Sequence, residues 1–417
     1  MNVPLRWPDP IEPAALKVTE RTPAQVLRSN PIAVIAIAQL FGTSLWFSAN
    51  SAAPDLMRAW GIGISGIGLL TNAVQLGFIL GTMAIALTGL ADRFHASRIF
   101  VLSAVCGAVF NACFAVFSTT LLSAAIFRFL VGLSLAGIYP IGMKLVVSWA
   151  PQRRGAALAY LVGMLTLGTA LPQGIRFLGG NWRWQSVILT SSALAVAGAL
   201  LIFILGDGPH LARGPQLVVR RMGGVLEAFK SDRLRAAALG YFGHMWELYT
   251  FWTLTPLIIS AGLTTKLPKI NVAGLAFLTI AAGAAGCIAG GLWSRRVGSA
   301  RVAAVALATS GLCCLIVAGN GRKLSPEAFL AILLVWGASV VADSPQFSAL
   351  SAEAAPSSLV GGVLAIQNSV GFAITIASIA VATSLFSRLG LSVAWLLLPG
   401  PVLGLMGFYP LMRRDQS

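Results

Sequence analysis

Twelve apolar segments, each long enough to cross a lipid bilayer, are the feature that most constrains this chain. A bilayer core requires about 20 apolar residues per helix, and lipid offers no partner to an unpaired backbone group, so each segment is predicted to be helical. We number these spans 1 to 12 in chain order: 31–52, 64–88, 99–119, 121–147, 156–177, 185–206, 237–262, 271–293, 302–319, 326–351, 360–386 and 391–412. The chain is 57% hydrophobic and only 10% charged. Lipid is therefore the predicted solvent for most of its surface.

The second half of the chain repeats features of the first half. Three positions recur at a constant shift of 205 residues, namely Gly132, Pro140 and Pro151 as Gly337, Pro345 and Pro356. Three more recur at a shift of about 203 residues, namely Leu90, Arg93 and Arg98 as Leu292, Arg296 and Arg301. A repeat of this length in an apolar chain predicts two similar membrane bundles. Substrate sites in such proteins lie between the bundles, near mid-membrane.

The repeat and the charges together predict five regions and an orientation. The regions are an N-terminal tail at 1–30, a six-helix bundle at 31–206, a linker at 207–236, a second six-helix bundle at 237–412 and a tail at 413–417. Of the Lys and Arg residues, nineteen lie on the side of the two tails and the linker, and eight lie on the other side. Positive loops face the cytoplasm. We therefore predict a protein of the cytoplasmic membrane with both termini inside.

Composition and motifs also argue against several classes of protein. The net charge of +16 sits in short loops between apolar runs, whereas a nucleic-acid-binding protein clusters its charge on one face, so no nucleic acid is predicted as a partner. All five cysteines lie inside apolar runs, which indicates core residues and neither disulfides nor a metal site. The chain has no nucleotide-binding signature. No cofactor is predicted.

A charged motif follows span 2, and a copy of it follows span 8. The motif occupies 88–98, and the copy occupies 291–301. The first resembles the signature loop of the major facilitator superfamily, Gly-x-Leu-Ala-Asp-Arg-x-Gly-Arg-Arg, which lies between helices 2 and 3 of that family. Five residues match the pattern: Leu90, Ala91, Asp92, Arg93 and Arg98. Thr88 and His95 stand where the family usually has glycine.

Three further segments resemble other motifs of the same family. They are 128–132 in span 4, 151–155 before span 5 and 181–184 before span 6. The resemblance covers nearly all of residues 31–412. It implies a twelve-helix secondary transporter whose two bundles rock around a central site, with spans 1, 4, 7 and 10 lining the cavity. It also implies that the chain is not an enzyme.

The resemblance implies a gate at the predicted cytoplasmic face. Because a helix N-terminus attracts negative charge, Asp92 is predicted to hold the start of span 11, near residues 357–358. The other charged residues assigned to this gate are Arg93, Arg98, Arg153 and Arg154. The alternative is that Asp92 and Arg93 only orient the protein in the membrane.

The second copy of the motif has the opposite charge at the matching position. Arg295 stands where Asp92 stands in the first copy. Glu353, at the end of span 10, is a candidate partner for Arg295 or Arg296. This pairing would form a charge-reversed version of the same gate.

Ionisable residues inside the spans are functional candidates, because a charge near mid-bilayer costs about 2.5–3.5 kcal/mol on insertion scales. His244 and Glu247 lie three residues apart in span 7 and share a helix face. A buried carboxyl beside an imidazole suits a proton relay. We predict Glu247 and His244 as the proton carriers and Asp343 in span 10 as the reserve. The alternatives are a structural pair in span 7 and, for Asp343, packing against a loop arginine.

Polar and aromatic residues of spans 1, 4 and 7, together with two residues of span 11, are the predicted substrate contacts. Arg128 in span 4 can bind a planar anion through two parallel hydrogen bonds, or it has a structural role. Trp46 and Asn50 share a face of span 1. The remaining candidates are Tyr249 and Trp252 in span 7, with Gln367 and Asn368 in span 11. Aromatic residues on a helix also serve as packing, so this alternative stays open.

The sequence thus predicts an all-α membrane protein of twelve helices in two six-helix bundles. Its predicted function is secondary transport of a small organic solute, an organic anion being one option, by alternating access and with proton coupling. The predicted partners are that solute, protons and membrane lipid. A drug/proton exporter is the alternative within the same class. A membrane-embedded enzyme is a rival from another class, although the chain has only three histidines, and a non-transporting receptor is the third option.

Overall fold

The computed structural model has helices at all twelve segments that the sequence predicts as spans. It describes residues 23–150, 154–211, 222–356 and 359–414. Spans 1 to 6 comprise Pro31–Thr43 with Ser48–Ser51 and Ala53–Trp60, then Ile64–Thr88, Ala96–Phe117, Leu121–Leu135 with Tyr139–Trp149, Arg154–Gly179 and Trp184–Leu205. Spans 7 to 12 comprise Asp232–Leu263, Val272–Val297, Ser299–Asn320, Pro326–Ala342 with Ser344–Ala354, Val360–Leu389, and Ala394–Leu397 with Pro399–Arg414. Short helices outside the spans are Pro23–Ser29, Leu90–Arg93 and Met222–Ala228.

Most of these helices are apolar enough to cross a membrane. By length and composition, nine helical stretches in the described ranges qualify, and the last of them, Val360–Met412, contains both span 11 and span 12. Spans 1 and 7 are not among the nine. Span 1 is interrupted by a turn at 44–47, and span 7 is made less apolar by His244, Glu247 and several threonines.

The two halves pack their helices in the same way. Within the first half, span 1 packs on spans 5 and 6, span 2 on span 4, and span 3 on spans 4 and 6. The same pairs recur six spans later, since span 7 packs on spans 11 and 12, span 8 on span 10, and span 9 on spans 10 and 12. Between the halves, the main contacts join span 2 to span 11 and span 5 to span 8. The sequence repeat therefore corresponds to a repeated helix arrangement.

The repeated glycines explain part of this arrangement. A Cβ at Gly132 would lie 2.1 Å from the carbonyl oxygen of Val74 in span 2, and one at Gly337 would lie 1.9 Å from that of Thr279 in span 8. Only glycine allows these backbones to approach so closely. Pro140 opens the second helical piece of its span, as its repeat in span 10 also does, because proline suits the first turn of a helix.

The two described ends of the linker are attached to different halves. Near its start, Gly208 N–H donates to the Ser148 hydroxyl at 3.1 Å, and Trp149 Nε1 donates to the Gly206 carbonyl at 3.3 Å. Near its end, the helix Met222–Ala228 places Val225 against Gly362 of span 11. The helix of span 7 begins at Asp232, so the last residues assigned to the linker are helical.

Candidate functional site

A buried acid and a buried base meet between spans 7 and 10. His244 Nδ1 lies 2.8 Å from Asp343 Oδ1, and both side chains are 0% exposed. The two groups are close enough for an ion pair, but in the described part of the chain neither atom has an aligned hydrogen-bond partner. Asp343 occupies the break between Pro326–Ala342 and Ser344–Ala354. The contact therefore joins span 7 to the break between the two helical pieces of span 10, which we call the hinge of span 10.

Glu247, one turn further along span 7, has a different environment. Its carboxylate accepts hydrogen bonds from Trp336 Nε1 at 2.6 Å, Ser310 Oγ at 2.9 Å and Cys314 Sγ at 3.2 Å. Glu247 is fully buried. Three donors from spans 9 and 10 thus hold a carboxylate of span 7, an arrangement that satisfies a buried polar group.

The structure therefore changes the pairing inferred from helix spacing. The carboxylate beside His244 is that of Asp343, and Glu247 points instead towards spans 9 and 10. A spacing of three residues places two side chains near one face of a helix, but the neighbouring helices decide which of them meet.

Arg128 is buried against the break in span 1. One guanidinium nitrogen, Nη1, donates to the Leu45 carbonyl at 3.0 Å, Ser48 Oγ at 3.1 Å and Asn111 Oδ1 at 3.0 Å. The other, Nη2, donates to the Trp46 carbonyl. A turn in a membrane helix frees carbonyl groups that lipid cannot satisfy. Arg128 supplies the missing donors, which supports its structural alternative.

Six aromatic side chains from both halves fill the centre of the molecule. This aromatic cluster comprises Trp46, Phe47, Phe78, Tyr249, Trp252 and Phe372, all of them buried. The ring centroids of Trp46 lie 5.6 Å from Tyr249 and 5.7 Å from Phe372, and those of Phe78 and Phe372 are 4.6 Å apart. Spans 1 and 2 therefore contact spans 7 and 11 through aromatic rings.

Several polar groups in this central region lack partners. Trp46 Nε1 donates to Gln75 Oε1 at 3.1 Å, whereas Gln75 Nε2 and Trp252 Nε1 have no hydrogen-bond partner within the described ranges. Elsewhere in span 11, the buried amide of Gln367 also has no partner among the described residues. A buried polar group without a partner costs roughly 1–3 kcal/mol. Such groups mark places where a bound molecule would gain hydrogen bonds.

The other two predicted substrate contacts differ in burial. Asn50 is buried, and its Nδ2 donates to the Thr71 hydroxyl at 2.9 Å in span 2. Asn368 is half-buried in span 11, next to Gln367. The structure thus gives Asn50 a partner inside the first half.

Spans 5 and 8 are tightly joined at their predicted outer ends. Phe277 of span 8 packs against Gly174 of span 5, and Phe177 of span 5 packs against Gly274 of span 8. Each glycine leaves room for the ring from the opposite helix. This reciprocal packing closes one side of the interface between the halves.

Spans 2 and 11 form the second contact between the two halves at the predicted outer face. Asn72 Nδ2 donates to the Ile376 carbonyl at 3.0 Å. Nearer the predicted outer surface, Gly68 lies against the side chain of Thr383. Both pairs of spans that connect the halves therefore touch at the predicted outer face.

Comparison with known proteins identifies the family. The profile of the Major Facilitator Superfamily matches residues 35–380. This chain belongs to the major facilitator superfamily. It is accordingly an integral membrane protein of that family.

Named relatives and a solved structure agree with this family. The chain is 28% identical to a putative tartrate transporter of Agrobacterium vitis over 50% of each sequence. It is 29% identical to the 4-hydroxybenzoate transporter PcaK of Pseudomonas aeruginosa, over 41% of this chain and 37% of the relative. The alignments therefore span half or less of these relatives. A bacterial homologue of the human lysosomal transporter Spinster has the same fold, with a TM-score of 0.66, 14% identity and coverage of 94% and 95% of the two chains.

The predicted gating residues of this chain are only partly described. Arg93 and Arg98 are exposed. The side chain of Asp92, residue Arg153, the side chain of Arg154 and residues 357–358 lie outside the described part, so the latch between Asp92 and span 11 stays a prediction. Glu353 is exposed, and in the described ranges it forms no ion pair with Arg295 or Arg296. Glu353 and the two arginines are all exposed, so water can solvate their charges.

Sequence reasoning missed several residues of the central region. Gln75, Phe78 and Phe372 belong to it, although no candidate was predicted in span 2 and only Gln367 and Asn368 were predicted in span 11. A single amide in the middle of an apolar span is a signal that would have indicated Gln75. Phe78 and Phe372 carry no such signal, because phenylalanine is common in any membrane helix.

Proposed function

We propose that this transporter moves small organic acids together with protons, and that His244 and Asp343 carry the proton. The observation that supports this proposal is the fully buried contact of 2.8 Å between the imidazole and the carboxylate. Both groups change charge by gaining or losing one proton, and charge is costly away from water. The stability of their contact therefore depends on proton occupancy. Because Asp343 lies at the hinge of span 10, protonation would alter how spans 7 and 10 are held together.

Glu247 has the role of a structural acceptor in this proposal. Its three hydrogen bonds connect span 7 to spans 9 and 10. A mobile proton carrier must exchange with water during the cycle, and a carboxylate fixed by three donors exchanges less readily than one held by a single contact. We therefore assign proton transfer to the His244–Asp343 pair and bundle cohesion to Glu247.

The polar and aromatic groups of the central region support this substrate class. The unpartnered N–H groups of Gln75, Trp252 and Gln367 suit the oxygen atoms of an acid, and the aromatic cluster suits an organic body. These donors are neutral and cannot balance the negative charge of a bound acid, and the guanidinium of Arg128 already donates to carbonyls of span 1. A proton that moves together with the acid would balance this negative charge. The two relatives named above are called transporters of tartrate and 4-hydroxybenzoate, both of them organic acids.

Uptake by purified protein in liposomes tests this proposal. Labelled 4-hydroxybenzoate, tartrate and a panel of other organic acids would be offered with and without an imposed pH gradient. We expect the wild type to accumulate at least one acid when the gradient is present and to stop when an ionophore dissipates it. Asp343→Asn should lose this gradient-driven accumulation, whereas the matched variant Glu247→Gln should keep it. Gradient-driven uptake that survives Asp343→Asn, or no acid moved at all, would contradict the proposal.

A further inference from the structure

A second site candidate lies away from the centre, at the predicted cytoplasmic ends of spans 5, 8, 9 and 10. It is a cavity of about 410 Å³. Its charged and polar lining includes Tyr160 of span 5, Arg295 of span 8, Ser299 of span 9 and Gln346 of span 10. Residues such as Leu292 make the rest of the wall apolar. The cavity therefore combines residues of both halves.

Two groups in this cavity have no partner. Arg295 is exposed and, in the described part of the chain, its guanidinium forms neither an ion pair nor a hydrogen bond. Gln346 is only 3% exposed and lines the cavity. Within the described ranges no hydrogen bond joins its side-chain amide to another group of the protein. Because this residue is otherwise buried and lines the cavity, its amide is available to a group bound there.

A helix N-terminus adds to the positive potential of the cavity. The helix Ser299–Asn320 begins at the cavity wall, and the preceding Gly298 offers no side chain to cap it. The first N–H groups of a helix have no intrahelical acceptor and attract anions.

The first half shows what such a position binds. There the helix Ala96–Phe117 of span 3 starts beside Asp207, and Asp207 Oδ1 accepts a hydrogen bond from Ser97 N–H at 2.7 Å. Span 3 corresponds to span 9 in the repeat. The first half thus supplies its own anion, while the described residues of the second half supply a cation, Arg295, at the matching loop.

We propose that this cavity binds a phosphate group, from either inorganic phosphate or the headgroup of an anionic phospholipid. A guanidinium and the N-terminus of a helix together form a favourable site for phosphate oxygens, and the amide of Gln346 supplies a further donor. The apolar wall beside Leu292 suits the glycerol and first acyl carbons of a lipid. Because Tyr160 belongs to the first half, the bound group contacts both halves at the face opposite the closed one.

Phosphate binding to delipidated full-length protein tests this site. Inorganic phosphate would be titrated at constant ionic strength while the melting temperature is followed. In parallel, the protein would be placed in nanodiscs of phosphatidylcholine with or without phosphatidylglycerol. We expect stabilisation of the wild type by phosphate, by phosphatidylglycerol or by both, and the arm that responds identifies the source of the group. Arg295→Gln should weaken the apparent affinity at least about tenfold, since it removes a charged hydrogen bond.

Arg296→Gln is the matched control, because Arg296 is a neighbouring exposed arginine that does not line the cavity. It should change the affinity by less than about twofold, as surface charges contribute little. Gln346→Glu provides an independent check, since it places a carboxylate inside the cavity and should abolish the rise in melting temperature that added phosphate causes, measured relative to the same variant without phosphate. Equal weakening by the Arg295 and Arg296 variants, or no stabilisation of the wild type in either arm, would overturn the proposal.

Discussion

The two halves share their helix arrangement but treat their buried charges differently. In the first half, Arg128 donates to three carbonyl or amide oxygens and a hydroxyl, all of which belong to the protein. In the second half, His244 and Asp343 are equally buried, but among the described residues their side chains contact each other without an aligned hydrogen bond. A charge held by four hydrogen bonds stabilises one conformation, whereas a pair held by a single contact has fewer interactions to break when it rearranges. The first charge is therefore structural and the second pair is suited to change.

The same contrast holds for two tryptophans that lie at similar positions in spans 1 and 7. Trp46 Nε1 donates to Gln75 in the first half. Trp252 Nε1 has no acceptor among the described residues. Both rings belong to the aromatic cluster, so the difference concerns hydrogen bonding and not burial. The second half again contains the group that is free to bind something else.

The largest expected effect tests the structural assignment of Arg128. Arg128→Leu removes the guanidinium donor from the Leu45 and Trp46 carbonyls of the span 1 turn, and each buried acceptor left without a donor costs roughly 1–3 kcal/mol. We expect a loss of about 3–5 kcal/mol in the free energy of unfolding. Asp343→Asn should cost less, because an uncharged amide of the same size replaces the carboxyl and a neutral imidazole can remain beside it. Chemical unfolding in detergent measures both variants, and a larger loss for Asp343→Asn than for Arg128→Leu would break the comparison.

A smaller effect is expected from the two tryptophans. Trp252→Phe removes an N–H group that bonds to nothing in the described structure, so the melting temperature should not fall. It should raise the KM of a transported acid by about tenfold, equivalent to one lost hydrogen bond of about 1.4 kcal/mol. Trp46→Phe should instead lower the free energy of unfolding by about 1 kcal/mol, since it breaks the bond to Gln75. Equal stability loss in the two variants would remove the distinction between these residues.

The smallest expected effect concerns Asp207. Burial tends to raise the pKa of this carboxyl, but the hydrogen bond from Ser97 N–H and the contact with His95 outweigh burial, so its pKa lies below the ordinary value. A lowered folded-state pKa stabilises the protein above the unfolded value of about 4, and this stabilisation is lost as the pH falls through the folded value. Asp207→Asn keeps the size of the side chain and removes its charge from the helix N-terminus, so it should cost about 0.3–1 kcal/mol at neutral pH.

Thermal unfolding at two pH values checks this prediction. The wild type and Asp207→Asn should differ at pH 7 and converge once the pH falls below the lowered folded-state pKa of the carboxyl, where it is protonated in both the folded and the unfolded protein. A difference that is independent of pH would mean that the Asp207 carboxylate does not cap span 3 through its charge.

Much of the fold could be predicted from the sequence, because the thickness of the bilayer sets the length of each membrane-spanning segment and the lack of water requires it to be helical. The predicted span 2 and the observed helix Ile64–Thr88 have the same bounds, and the repeated Pro140 and Pro345 open the second helical pieces of their spans. The break in span 1 could not be predicted. Its turn at 44–47 contains no proline or glycine, and its carbonyls are satisfied by Arg128, which is more than 80 residues away.

The candidate site was predictable in its residues but not in their pairing. His244, Glu247 and Asp343 stand out as ionisable residues within apolar spans. Which carboxylate meets the imidazole depends on the rotation of span 7 against spans 9 and 10, and Trp336 and Ser310 draw Glu247 away from His244. Side-chain spacing along one helix contains no information on these neighbours.

The most direct test of this account is the proton movement that accompanies transport. A pH-sensitive dye would be enclosed in proteoliposomes held at zero membrane potential, and a gradient of a transported acid would be applied. The lumenal pH should shift with substrate entry for the wild type and for Glu247→Gln, while Asp343→Asn should move substrate without a pH shift. A pH shift that persists in Asp343→Asn and disappears in Glu247→Gln would contradict the central claim, since it would assign the proton to the carboxylate with three hydrogen bonds.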